Sequence, residues 1–429
     1  MSDPNFNALL AVTKGVKAGD VSVADKTARF AEFPVDEYKL RYAKAIALME
    51  DQGLDALLVT QYENVRYFTG YLSLLWISKF RPYVGLLPRD PAKGPSLIVP
   101  GQETGNAEET SWIKDLYIYP DQEPPVPHIL KAIKDKGLAN AKIGTELGFG
   151  LRLGMNFQQF SELRDGHKGK IVDGTPIIQT VRMVKSQAEL SCIRKACEIS
   201  QIGTRAGFEA LQPGQSLKEI MATICSAMYK AGAEPGFQPS MFTITSGANY
   251  KMVNSLATDY RVKEGDLVMI DAGAVYQGYS TDYIRQASVG EPTKEQVKYY
   301  DIAVRANNAA IDKIRPGVSG TDVYEAGMDV FRAEGVFDYN VLTIVGHSVG
   351  MDVHEVPWLG EKGVYSSETN LVPGMVVCIE PVFGGYNDPE WKKGVWIQED
   401  KVLVTETGHE ILTNGISKDL WVQPVLQRA

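Results

Sequence analysis

Glu380 and Glu399 each interrupt a segment otherwise rich in apolar and β-branched residues, PGMVVCIE at 373–380 and VWIQEDKVLV at 395–404; Asp271 ends EGDLVMID at 264–271, and Asp282 follows it by eleven residues. Two carboxylates brought face to face repel, which raises a pKa. A cation between them removes that cost. The segment linking Asp271 to Asp282 holds Gln277-Gly278, a two-residue hairpin turn. In that register Asp271 pairs with residue 284, and Asp282 lies two along on the same face. Diagonal neighbours of this kind are ~7–8 Å apart at Cα, so both carboxylates reach one small object.

The five histidines divide into two groups. His128 follows a Pro-rich loop, His167 sits in DGHKGK and His409 in ETGHE. All three read as surface residues. His347 and His354 belong instead to GHSVGMDVHEVP, where glycines let backbone and ring approach a site closely. His347 falls between the two halves of the carboxylate set and reads as a ligand. One imidazole and four carboxylates suit Mn, Co, Fe or Zn. Four acids exceed the needs of one such ion. Two ions ~3.5–4 Å apart use them all, activate water and polarise a carbonyl. That is hydrolase chemistry.

The elements that must position these groups repeat. LQPGQS at 211–216 and an amphipathic stretch to Gly232 are echoed by IRPGVS at 314–319 and a stretch to Gly335, at one common offset. EGDLVMID echoes PGMVVCIE, with Asp271 and Glu380 in the same slot. Asp282 then corresponds to Glu399. The pattern predicts two α-plus-strand halves about a pseudo-two-fold axis, each ending a buried strand on an inward carboxylate.

Upstream the pattern is different. Residues 1–30 are polar and weakly periodic and read as an arm. From Pro34 a helix begins, with Tyr38, Tyr42, Ala45 and Met49 on one face and Gly53 at its stop. LDALLVT, YVGLLP, SLIVP, LYIYP and AKIGTE are strand candidates, and PHILKAIKDKG is helical. Strands alternating with helices predict a smaller α/β domain over 31–175. Turn residues Asp173 to Pro176 mark the boundary, and 176–429 form the second domain. There Ser186 and Glu189 have the form of a capping box that opens a long helix.

Composition bounds the function. The chain has 429 residues, 44 Lys plus Arg and 53 Asp plus Glu, for a net charge of -9. An acidic chain without a basic block excludes nucleic acid and anionic membranes as partners. Four cysteines are too sparse for a secreted disulfide scaffold. No signal peptide and no run near the ~20 apolar residues of a transmembrane helix are evident. The expectation is a cytoplasmic enzyme.

On VKEGDLVMIDAGAVYQGYSTD, GHSVGMDVHEVP, VPGMVVCIEP and IQEDKVLVTETGHEIL, the sequence resembles the M24 metallopeptidase superfamily, the pita-bread fold of prolidases, aminopeptidase P, methionine aminopeptidases and creatinase. NVRYFTGY at 64–71 and the KFRPY segment are similar to the creatinase-type N-terminal domain. The resemblance implies an α+β pita-bread catalytic domain with an internal pseudo-two-fold duplication, preceded by a creatinase-type α/β domain. It implies two divalent ions, manganese among the candidates. Asp271 would chelate the first, Asp282 and Glu399 would bridge both, and His347 and Glu380 would hold the second. Glu399 and His354 would be catalytic, with His354 meeting the substrate carbonyl or shuttling a proton. Arg81 falls where creatinase has an Arg that reaches a neighbouring subunit's site and holds a substrate carboxylate.

Two positions depart from the family. Prolidase-like and creatinase-like sequences have a His where this chain has Asn254, and prolidases and aminopeptidase P an Arg where it has Ile397. Asn254 is not a general acid or base at neutral pH, so it becomes a candidate for hydrogen bonding to substrate. The expected activity is cleavage of a C–N bond in a small carboxylate-bearing substrate, Xaa-Pro peptidase-like but with an altered substrate site. One alternative is a metal-dependent lyase of the dimethylsulfoniopropionate type. That type has an extra acid two residues after the first Asp, where this chain has Gly273. Another is a non-catalytic pita-bread binding module, but such modules lose ligands that this chain keeps. The LLWISKFRPY segment at 74–83, with Trp76, Phe80 and Arg81, and the arm at 1–30 predict a homodimer.

Overall fold

The computed structural model describes residues 3–78, 80–234, 256–340, 342–384 and 394–426 in full, and the backbone alone over 242–246. The chain forms two compact units, one of Pro4–Arg182 and one of Met183–Ala429 joined by the N-terminal Asp3. The helix Thr175–Met183 lies between this division and the boundary expected at 175/176.

The first unit is built on six strands: β1 Ala56–Val59, β2 Val84–Pro88, β3 Ser96–Pro100, β4 Asp115–Tyr119, β5 Lys142–Thr145 and β6 Lys170–Asp173. They lie in the order β4-β3-β2-β1-β5-β6. Central β1 is buried along its whole length, as its unbroken apolar run requires. The helix Val35–Asp51 buries Tyr38, Tyr42, Ala45 and Met49, and Gly53 follows it at φ 62°. Residues 4–30 differ from the expected arm. The helix Phe6–Val12 buries Phe6, Leu9 and Leu10, and the backbone amides of Lys26 and Phe30 donate to Trp112 O and Glu109 O. The apolar residues are too few to show a period, yet enough to dock the segment.

In the second unit the strands are β7 Phe242–Ser246, β8 Leu267–Ala272, β9 Val275–Tyr276, β10 Tyr279–Ser280, β11 Ile284–Val289, β12 Ile344–Ser348, β13 Glu355–Gly360, β14 Val376–Ile379, β15 Val382–Gly384, β16 Val395–Ile397, β17 Asp400–Val404, β18 His409–Ile411 and β19 Trp421–Gln423. One sheet runs β19-β11-β8-β7 and the other β13-β12-β14-β17-β18, with β9/β10 and β15/β16 as separate ribbons.

The duplication is visible in the hydrogen bonds. Ser216 and Ser319 each close a capping box, with Glu219 and Asp322, on the helices Leu217–Lys230 and Gly320–Ala333. Gly214 and Gly317, both at positive φ, donate their amides to Val262 O and Leu371 O at 2.8 and 2.9 Å. Isolated bridges join Ser216 to Arg261 and Ser319 to Asn370. Each half thus carries its helix and returns to a buried strand, β8 or β14, by the same device.

Candidate metal centre

Asp271 stands near the end of β8, all of which is buried. The hairpin to Asp282 turns at Gln277 (φ 47°) and Gly278 (φ 80°), with Tyr276 opposite Tyr279. Positive φ at both turn residues is the type I′ geometry that follows strand twist. Asp271 then pairs with Ile284, the register expected from sequence. In the other half, Ile379 faces Asp400 and Val382 faces Ile397, so the ladder sets Glu380 across from Glu399. The two hairpins are therefore out of register by two residues at the acids. A buried ion pair at 2.7 Å between Arg285 on β11 and Asp400 ties the two sheets together beside Glu399.

His347 comes from the middle of the second sheet. It lies opposite Trp358 on one side and Cys378 on the other, and Cys378 lies opposite Lys401. One row across four strands thus carries Trp358, His347, Cys378 and Lys401. Gly346 makes the approach possible, since a Cβ there would lie 1.9 Å from Cys378 O. Nδ1 of His347 is 2.9 Å from Ser348 O, leaving Nε2 for the site. That Nε2 is 3.2 Å from Glu380 Oε1 and 3.6 Å from Asp282 Oδ2.

The ligand atoms of Asp282, His347 and His354 lie within 4.8 Å of one another, as do those of Asp282, Cys378 and Glu399. Asp271 Oδ1 and Oδ2, Asp282 Oδ1, His347 Nε2 and Glu399 Oε2 are buried without a hydrogen-bond partner. Leaving such groups unpaired is costly. The donor set, hard oxygens with one imidazole nitrogen, fits a divalent ion.

The electrostatics carry the same strain. Burial, then the charges of Asp282 and Glu399, pushes the Asp271 carboxyl well above the usual range. Burial, then Asp282, pushes Glu399 up to about 8, against the pull of Lys401. Burial also works against the Asp282 charge, but the nearby His347 imidazole and Lys401 outweigh it and hold that carboxyl below the usual range. Burial opposes the His347 charge too, and the surrounding Cys378, Asp282 and Glu380 outweigh it and raise its pKa. His354 keeps an exposed edge, while its ring packs 4.3 Å from His347 and 5.7 Å from Trp358. Lost hydration on that packed side, then the His347 charge, pushes it down to about 4.

Asp271, Asp282, His347, Glu380 and Glu399 lie within the second unit, with Asp282 and Glu380 each close to His347 and His354 at the edge. Asn254 lies outside the described residues. Arg81 belongs to the first unit, where its Nε donates to Asp121 O at 3.2 Å and its guanidinium sits over Phe80. His167, expected at the surface, is 7% exposed, with Nε2 2.8 Å from Ala141 O. Its polar neighbours in sequence concealed a docked helix end. Sequence reasoning missed Cys378 and Lys401. Strand alternation was the available signal, since Cys378 shares a face with Glu380 and Lys401 with Glu399.

Residues 191–406 match metallopeptidase family M24, and residues 41–184 match the creatinase/prolidase N-terminal domain. This chain belongs to metallopeptidase family M24. It is 30% identical over 379 residues to an Xaa-Pro dipeptidase of Pyrococcus furiosus, covering 87% of this chain and 98% of that protein. It is 29% identical over 400 residues to a probable dipeptidase PepE of Mycobacterium tuberculosis, covering 92% and 98%. Among solved structures, the prolidase of Pyrococcus horikoshii OT3 superimposes with a TM-score of 0.74 at 28% identity, covering 87% and 97%. Dipeptidase PepE of Mycobacterium ulcerans gives 0.76 at 27%, covering 92% and 100%. The M24 chain is a metal-dependent hydrolase with the pita-bread fold behind a creatinase-type domain, and not the binding module weighed from sequence. No helix among the described residues is long and apolar enough to cross a membrane.

Proposed function

We propose that this M24 enzyme hydrolyses a C–N bond in a small carboxylate-bearing substrate of the Xaa-Pro dipeptide kind, in a substrate site altered from that of general prolidases. Relatives named Xaa-Pro dipeptidase support the reaction. The observation that carries the reading is the convergence of buried, unpartnered donor atoms from Asp271, Asp282, His347 and Glu399 beside Glu380. In this reading these five residues would hold two divalent ions (Mn, Co, Fe or Zn), with Asp282 and Glu399 serving both. The ions, when bound, lower the pKa of water and polarise a carbonyl.

The chain's own groups do the rest. Glu399, ionised when the cations are bound, would take a proton from the attacking water and hand it to the leaving nitrogen. His354, at the open edge, hydrogen-bonds the carbonyl oxygen as charge develops there. Arg81 of a second copy and Asn254 hold the substrate's polar ends. The alteration rests on Ile397, which is 1% exposed and packed with Met269, Ile284, Val382 and Val395 where prolidases have an Arg. We also assign the enzyme to the cytoplasm as a homodimer. Its four cysteines are free, and Leu74, Ile77 and Phe80 are exposed on one segment.

The test is kcat/KM on Ala-Pro, Leu-Pro, Xaa-Pro tripeptides and N-acyl amino acids with each metal. Weak turnover of Xaa-Pro peptides beside a better non-prolyl amide is expected. Prolyl values above ~10⁴ M⁻¹s⁻¹, the usual range for native substrates, would show that the site is unaltered. No metal-dependent hydrolysis of any amide would remove the proposal.

A further inference from the structure

We propose that Lys401 regulates the metal content of the centre by competing with a divalent ion for one oxygen of Glu399. The inference rests on the metal-binding reading above and adds a residue to it. Lys401 Nζ lies 3.0 Å from Glu399 Oε1, and both side chains are 0% exposed. Glu399 Oε2 has no partner. One oxygen of this carboxylate is therefore free for a ligand, and the other is already engaged.

The lysine is held there by the sheet. It sits on β17 opposite Cys378, whose Sγ its Nζ also contacts. Its backbone amide accepts no freedom either, since it donates to Thr413 Oγ1 at 3.1 Å. The strand cannot shift to remove the ammonium, so only rotation of the flexible stem can.

A carboxylate shared by two ions uses both oxygens. An ammonium has three donors and no acceptor, so it occupies Oε1 and offers an ion nothing in return. Its charge also repels a dication brought within a few ångströms, with little water between to screen it. Asp271 and Asp282 Oδ1 keep free donor atoms for one ion without Glu399 Oε1. A second ion that draws on Glu399 Oε1 must first displace Lys401.

The test is Mn(II) titration of the full-length metal-free protein, followed by electron paramagnetic resonance and by elemental analysis. Wild type, Lys401→Met, Lys401→Gln and the charge-retaining Lys401→Arg are compared. In wild type the spectrum of isolated Mn should persist beyond the first equivalent, with the spin-coupled pair appearing only at higher metal. In the Met and Gln variants the coupled pair should appear at least tenfold lower in free Mn, a shift of about 1.4 kcal/mol or more. Lys401→Arg should behave as wild type. Two neutral variants guard against one that misfolds, and circular dichroism identifies it. An unchanged second-site affinity in the folded neutral variant overturns the proposal and leaves the metal reading intact. No Mn uptake by wild type overturns both.

Discussion

His347 Nε2 on β12 faces Glu380 Oε1 at 3.2 Å, Glu380 directly following β14, the neighbour of β12 in the sheet, although the two residues are far apart in sequence. The imidazole approaches because Gly346 lets β12 close against Cys378 O. Every other acid of the centre is placed by a strand end or a hairpin, so the cluster is as rigid as the two sheets.

Removing metal should destabilise the enzyme, and more so as pH rises. Asp271 and Glu399 are raised by burial and by neighbouring acids. A raised carboxyl favours folding while protonated, and that contribution is lost as pH climbs from the unfolded value of 4.5 through about 8 for Glu399. The raised His347 adds in the same direction. Bound cations replace those protons. The Tm gap between metal-loaded and chelated protein should widen from about pH 5 to about pH 8, and a constant gap would contradict the electrostatics.

Asp282→Ala and Glu399→Ala should each lower the content of both ions, because both residues are assigned to both. Asp271→Ala and Glu380→Ala should weaken one ion more than the other. Elemental analysis after reconstitution reads the difference. At most one ion per chain at saturating metal would end the shared-ligand assignment.

Ile397 should tolerate little change. Ile397→Ala should cost about 2–5 kcal/mol, the usual range for truncating a buried Ile, and lower the Tm. Ile397→Arg should cost more, because it puts a charge among Met269, Ile284, Val382 and Val395. Chemical denaturation decides it. A fully stable Arg variant would mean that the side chain leaves the cluster for a polar site.

Asn254→His should raise turnover of Xaa-Pro dipeptides if the lost imidazole limits that reaction, since a general acid–base group contributes typically ~10²–10⁴-fold. Steady-state kinetics with Mn or Co present read it. No change would mean that another residue has taken the role.

Phe80 is 73% exposed beside Arg81, and Ile77 is 53% exposed on the same segment. Trp76 instead stacks on Tyr62 at 4.8 Å within its own unit. Ile77→Glu with Phe80→Ser should yield a monomer by light scattering at micromolar concentration, where wild type gives a dimer. A wild-type monomer would remove the reason to place Arg81 in a neighbour's site.

The sequence by itself determined the features that depend on local spacing. The carboxylates stood out because charge is rare in strands buried on both faces. The pairing of Asp271 with residue 284 followed from Gln277-Gly278, because a two-residue turn leaves one register. The duplication followed from repeated Pro-Gly turns and the matching octamers EGDLVMID and PGMVVCIE, which are local signals.

Tertiary structure decided what depends on strand order. Cys378, Lys401 and Trp358 became neighbours of His347 only when β13, β12, β14 and β17 lined up. Their pairing is chosen by the whole core rather than by any turn between them. The same cause explains the two-residue offset between the hairpins at Glu380 and Glu399, where the repeat implied equivalence with Asp271 and Asp282. It also explains the burial of His167 and the docking of residues 4–30, whose local sequence is polar but whose few apolar side chains find a surface made by distant elements.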